Sequence, residues 1–101
     1  MNWRNNPMKL EKLIDGEWWT EGDYPTPNGL AAAAFNLGRN AAAEQVRVTA
    51  NASNAPRMTL YCQIGQNWYL HGSYTDMTAM IRAVRQLCQN PDVVDFRVQP
   101  Y

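Results

Sequence analysis

Residues 8–24 read MKLEKLIDGEWWTEGDY, and residues 58–74 read MTLYCQIGQNWYLHGSY. The second stretch is the first displaced by fifty positions, and the match continues beyond it without a gap. Met8, Leu10, Ile14, Trp18, Gly22, Tyr24, Ala33, Leu37, Asn40, Arg47 and Val48 recur as Met58, Leu60, Ile64, Trp68, Gly72, Tyr74, Ala83, Leu87, Asn90, Arg97 and Val98. Eleven identities in the forty-one residues from Met8 to Val48 exceed the roughly 2–3 that ordinary amino-acid usage supplies by accident. The chain is one unit written twice.

Each unit reads as a hairpin, a helix and a closing strand. Met58, Leu60, Cys62 and Ile64 alternate with Thr59, Tyr61 and Gln63, the period of a strand with one buried face. Gly65-Gln66-Asn67 reads as a three-residue turn, after which Trp68, Leu70, Gly72 and Tyr74 resume the alternation. That turn pairs Ile64 with Trp68 and Cys62 with Leu70, on the buried side. Asp15-Gly16-Glu17 does the same in the first copy, burying Met8, Leu10, Ile14, Trp18 and Tyr24. Lys12 and Thr20 break the pattern and are expected near an edge.

A helix follows each hairpin. Asp76 is the expected N-cap, ahead of an apolar stripe of Met77, Met80, Ile81, Val84, Leu87 and Cys88. Thr26 holds the same position in the first copy, with Pro27 at the favoured first helical site. Asn40 and Asn90 are expected as left-handed C-terminal caps. Gln45–Thr49 and Val93–Gln99 then close the units as strands. The fold class is therefore α+β, with tandem ββαβ units at 8–49 and 58–99 joined by a loop at 50–57. Half of a 101-residue chain buries a poor fraction of its surface, so the expectation is one pseudo-twofold domain with six strands and two helices.

Nine Lys and Arg balance nine Asp and Glu. A neutral chain does not bind the nucleic-acid backbone generically, since that binding needs excess cations to displace counterions. No apolar run approaches the length of a membrane span, and the first residues hold no signal-like apolar stretch. Cys62 and Cys88 align with Lys12 and Gly38, so they are not a duplicated pair, and reduced thiols in a cytoplasmic protein are expected. Asn51-Ala52-Ser53 matches a glycosylation sequon that is accidental in that compartment.

Strand parity leaves a second sheet face. Leu13, Trp19, Glu21, Tyr61, Gln63, Tyr69, His71, Arg47 and Arg97 are expected on it. A solvated face is normally Thr, Lys, Glu and Ser, whereas this one collects three aromatics and two arginines that are repeat equivalents. Three readings follow. The aromatics pack against each other between repeats or chains; they bind a protein, for which Trp, Tyr and Arg are the usual anchors; or they stack on a nucleotide or other flat anion held by Arg47 and Arg97. The first helix adds Phe35, in the nearly all-apolar run Leu30–Phe35, as a candidate oligomer contact, with Trp3 as an alternative cover.

Catalytic chemistry has little to stand on. His71 is the single histidine, its counterpart is Glu21, and parity points it away from Cys62. No carboxylate recurs at one repeat position, no metal-ligand spacing occurs, and Gly22 and Gly72 belong to no phosphate-binding loop. The two glycines are expected to let a strand end pass a bulky neighbour such as Trp18 or Trp68. The expectation is a non-enzymatic interaction protein without cofactor or metal, acting on a protein partner or as a homo-oligomer through Trp19, Tyr61, Tyr69, Arg47, Arg97 and Phe35. The alternative is a module for a nucleotide or other flat anion. The chain's style, short, neutral, duplicated and rich in Trp, Tyr and Asn, is similar to that of accessory or inhibitor proteins of phages and mobile elements, with no motif that assigns a family.

Overall fold

The structure is a computed structural model and describes residues 7–39, 42–50 and 57–100. The first repeat gives β1 (Met8–Ile14), β2 (Glu17–Tyr24), α1 (Pro27–Gly38) and β3 (Gln45–Val48). The second gives β4 (Met58–Ile64), β5 (Asn67–Tyr74), α2 (Met77–Cys88) and β6 (Val93–Pro100). Among the described residues this is ββαβ twice, the α+β layout that the duplication predicts. The strands form two separate antiparallel sheets, β2-β1-β3 and β5-β4-β6. The expected cover by Trp3, the Asn40 cap, the sequon and the joining loop from 51 to 56 lie outside the described residues.

The helix starts follow the sequence. Thr26 Oγ1 accepts the Gly29 N–H at 3.1 Å, and Asp76 Oδ1 accepts the Thr78 N–H at 3.0 Å. Each satisfies a donor that the first turn leaves without a helical partner. The expected left-handed cap at Asn90 does not form: among the non-glycine described residues only Asp15 has positive φ. α2 instead ends in tightened turns, with the Gln89 N–H on Gln86 O and the Asn90 N–H on Leu87 O, both at 3.1 Å. The Asn90 side chain then accepts the Asp92 N–H at 3.0 Å, which turns the chain toward β6 without a left-handed residue.

One apolar core draws on both repeats, with Leu10, Leu30, Val46, Leu60, Met80, Ile81 and Val84 all fully buried. Each such side chain contributes roughly 1.5–3 kcal/mol through removal of apolar surface from water. The helices lie against each other at the centre, α2 along β3 of the first repeat and α1 along β6 of the second. Each helix thus borders the other repeat's closing strand. The Cα envelope, 36 × 35 × 15 Å, is that of a thin slab.

Polar side chains of α2 fix the crossing to β3. Thr78 Oγ1 accepts the Val48 N–H at 3.1 Å and donates to Val48 O at 3.3 Å. Arg82 Nε donates to Val46 O at 3.0 Å, and Arg85 Nη2 donates to Ala43 O. By helical spacing Arg82, Arg85, Gln86 and Gln89 fall outside the apolar stripe of α2, where the sequence predicts an ordinary wet face. Arg82 and Arg85 serve instead as donors to the backbone of a sheet edge that would otherwise stay unpaired.

The helices approach closely at Gly38 and Cys88, which are the same position in the two repeats. A Cβ on Gly38 would stand 2.8 Å from the Cys88 Cβ and 3.0 Å from the Arg85 carbonyl oxygen. Gly22 and Gly72 also mark close approaches, but to Tyr24 and Tyr74 rather than to the tryptophans expected there. A Cβ on Gly72 would meet the Tyr74 hydroxyl at 2.8 Å. Burial under this arrangement pushes the Tyr74 hydroxyl above its usual pKa.

Two stability measurements test the crossing. Gly38→Ala is expected to lower unfolding stability by about 1–3 kcal/mol through overpacking, against the gain of up to about 1 kcal/mol that Gly→Ala brings to an open helix. Adding Cys88→Gly should recover part of the loss in urea titrations. Thr78→Val, similar in shape but without the hydroxyl, should lose about 1–3 kcal/mol, the worth of two hydrogen bonds.

Candidate functional site

The hairpin tips decide which residues share a face, and here the structure departs from the sequence reading. Both turns have two residues, so Ile14 pairs with Glu17 and Ile64 with Asn67. Asp15 and Gly16 both take positive φ, 53° and 80°, as a type I′ turn requires. In the second hairpin Gly65 alone does so, at 63°. The register then shifts by one residue at a bulge, skipping Glu21 in β2 and His71 in β5. Beyond the bulge the expected pairs stand, Leu10 with Gly22 and Met8 with Tyr24. Between bulge and turn every residue of β2 and β5 changes face.

Trp19 and Tyr69 were expected beside Arg47 and Arg97. They pair instead with Lys12 and Cys62, on the face that carries the core. Both stay half exposed, at 53% and 49%. Trp18 and Trp68, expected in the core, take the outer face. Glu21 and His71, also expected outside, are the bulge residues. Lys12, expected near an edge, sits in the central strand β1 and reaches the bulge, with Nζ 2.6 Å from Glu21 Oε2.

On each outer face an arginine crosses three strands. Arg47 leaves β3, passes over β1 and places its guanidinium 3.9 Å from the centre of the Trp18 ring. Arg97 leaves β6, passes over β4 and lies 4.7 Å from Trp68 and 5.6 Å from Tyr61. Its aliphatic stem covers apolar surface while the cation meets the electron-rich ring face. Arg47 and Arg97, and Trp18 and Trp68, are all among the repeated identities, so the contact itself is repeated.

The surroundings differ. Glu11 stands opposite Arg47 in the register and accepts from its Nε at 2.8 Å. Tyr61 holds that position in the second repeat, and among the described residues Arg97 has no ion pair. Asp95, two residues away, turns its Oδ1 to the Phe96 N–H at 2.8 Å. On the same face Leu70, at the position of Thr20 in the first repeat, is 67% exposed, and Trp68 is 38% exposed. Residues 8–24 carry seven charges, at Lys9, Glu11, Lys12, Asp15, Glu17, Glu21 and Asp23; residues 58–74 carry no Asp, Glu, Lys or Arg. This contrast was legible in the chain and points to Trp68 and Leu70, the two surface residues that parity alone hid.

Phe35 is engaged within the chain. Its ring stacks on Phe96 at 4.8 Å, with the Arg39 guanidinium 5.0 Å from the ring centre. The solvent side of α1 is Asn28, Ala32 and Asn36. A shallow groove of about 500 Å³ runs between Asn28 and the stretch from Phe96 to Pro100.

Cys62 is a buried free thiol on the core face, and His71 is exposed. Among the described residues no group of three His, Cys, Asp or Glu side chains could hold a metal ion. No described helix is long and apolar enough to cross a membrane. No known protein family, curated protein or solved structure matches the chain.

The contrast between the outer faces can be measured by double-mutant cycles. Glu11 and Arg47 should couple by about 0.2–1 kcal/mol, and the coupling should shrink in high salt. Arg97→Ala should cost no more than about 1 kcal/mol, the scale of an exposed cation–π contact, with little salt dependence.

Proposed function

We propose that this protein is a non-enzymatic interaction protein that binds a protein partner through the outer face of β4, β5 and β6. Tyr61, Trp68, Leu70 and Arg97 form the contact. The observation that carries the reading is the hairpin from Met58 to Tyr74, which has no Asp, Glu, Lys or Arg although its strand β5 is largely exposed, set against seven charges in its duplicate. Interface centres are depleted in charge and enriched in Trp, Tyr and Arg, while a free surface sheet normally keeps its charges. Leu70 and Trp68 side by side on one face are apolar surface that a partner would remove from water. Tyr61 and Arg97 keep the role expected of them, and Trp68 and Leu70 join them. Trp19 and Tyr69 belong to a different face, Arg47 is neutralised by Glu11, and Phe35 is a secondary candidate because Phe96 already covers its ring.

Occupation or sequestration of the partner is the mode of action, in keeping with a buried Cys62 and an exposed His71 on separate elements of the surface and core. Free thiols fit a reducing, cytoplasmic setting. The runner-up, a site for a nucleotide or another flat anion, is favoured by Arg97, which has no ion pair among the described residues. It is opposed by the guanidinium that already lies on Trp68 at 4.7 Å, which a stacking base would have to displace.

Site-specific photo-crosslinking tests the reading in cells that make the protein. A crosslinking residue at position 70 should capture a discrete partner, and one at the equivalent position 20 should not. Capture from both positions equally, or from position 20 alone, would place the interface elsewhere.

A further inference from the structure

The first repeat shows a complete set of contacts that the second holds only in part. In the first, the Arg47 guanidinium lies on Trp18 at 3.9 Å and its Nε donates to Glu11 at 2.8 Å. In the second, Arg97 lies on Trp68 at 4.7 Å, and the Glu11 position is Tyr61. Among the described residues neither Asp95 nor any other acid pairs with Arg97. The Arg97 guanidinium lies against two of the groups that make this face apolar, Trp68 and Tyr61, and Leu70 stands opposite Tyr61 on the other side of β4.

That placement constrains whatever covers the face. A partner that removes Trp68 and Leu70 from water also desolvates Arg97, and a desolvated cation without a counter-charge is strongly unfavourable. Arginine cannot shed its proton to escape. A partner must therefore bring its own neutralising group, and a planar guanidinium selects a carboxylate by two parallel hydrogen bonds.

We propose that the partner inserts an Asp or Glu side chain against Arg97, beside an apolar side chain that packs on Leu70 and Trp68. The inserted carboxylate takes the role that Glu11 plays toward Arg47. The inference rests on the reading of this face as a protein-binding surface, and it names the chemistry of the segment bound there.

The test uses the full chain and a displayed library of random linear peptides. Selected peptides should share an Asp or Glu with a neighbouring aliphatic or aromatic residue. Replacing that acid by Asn or Gln should weaken binding roughly 10–100-fold, the worth of a charged hydrogen bond. Tyr61→Glu supplies the missing carboxylate from within the chain, so it should weaken the same peptides to a similar extent while the urea midpoint stays at or above that of wild type. Arg97→Gln is the second variant, with the same loss expected, and Glu11→Gln should leave binding unchanged.

Peptides without an acid, peptides that bind Tyr61→Glu and Arg97→Gln as well as wild type, or a library that yields no binder would each overturn the proposal. A wild-type dimer that Arg97→Gln converts to folded monomer would overturn it too, because the occupant would be a second copy. Crosslinking from position 70 separates the two levels. Capture there with no acid requirement leaves the face and removes the carboxylate, whereas no capture removes the face itself.

Discussion

The approach of α1 to α2 at Gly38 and Cys88 sets the geometry on which both sheets depend. The two positions are repeat equivalents, so the pseudo-twofold relation brings a residue close to its own duplicate. Two identical large side chains could not share that space, and the chain keeps a glycine on one side to admit a cysteine on the other. With the helices this close, α2 reaches β3 and α1 reaches β6. Thr78, Arg82 and Arg85 can then donate or accept at the backbone of β3 and the residues before it. A three-stranded sheet with one helix is a small assembly with a poor ratio of core to surface. Here each unit is closed by an element of the other, which is why the core is a single cluster.

The outer faces follow from a second constraint, at the hairpin tips. A two-residue turn matches the right-handed twist of the strands, but its register would set Leu10 out of step with Gly22. The bulge at Glu21 restores that register, and its counterpart at His71 does the same. The short segment between bulge and turn therefore has its faces exchanged relative to the rest of the strand. Trp18 and Trp68 consequently meet the arginines, while Trp19 and Tyr69 project over the far end of the core face, where they remain half exposed.

Those particulars explain how much the sequence alone could say. The duplication, the order of elements, both N-caps and the core stripe of α2 were legible because each rests on local chemistry or on an eleven-residue coincidence. The outer face was half legible. Arg47, Arg97 and Tyr61 lie on it as expected, whereas Trp19 and Tyr69 do not, since uninterrupted alternation cannot foresee a skipped residue. Asp15-Gly16 is a strong two-residue turn signal, and reading it as such would have forced a bulge to keep Met8 and Tyr24 in step. Arg82 and Arg85 looked solvated because their partners are backbone atoms of the other repeat, which no helical wheel displays.

Divergence between the copies bears most directly on function. Folding needs the residues that stayed alike, since Leu10 and Leu60, Val48 and Val98, and Leu37 and Leu87 all remain in the core. It does not need a hairpin free of all seven charges, because the charged hairpin supports the same backbone. Two of the differences fall on one face: Leu70 stands where the first copy has Thr20 and Tyr61 where it has Glu11, while Arg and Trp are the same in both. Removing the acid alone would merely expose a cation to water at little cost. A face without the acid and with Leu70 opposite Tyr61 is apolar around an arginine that has no ion pair among the described residues, and such a surface gains most from a partner that matches both.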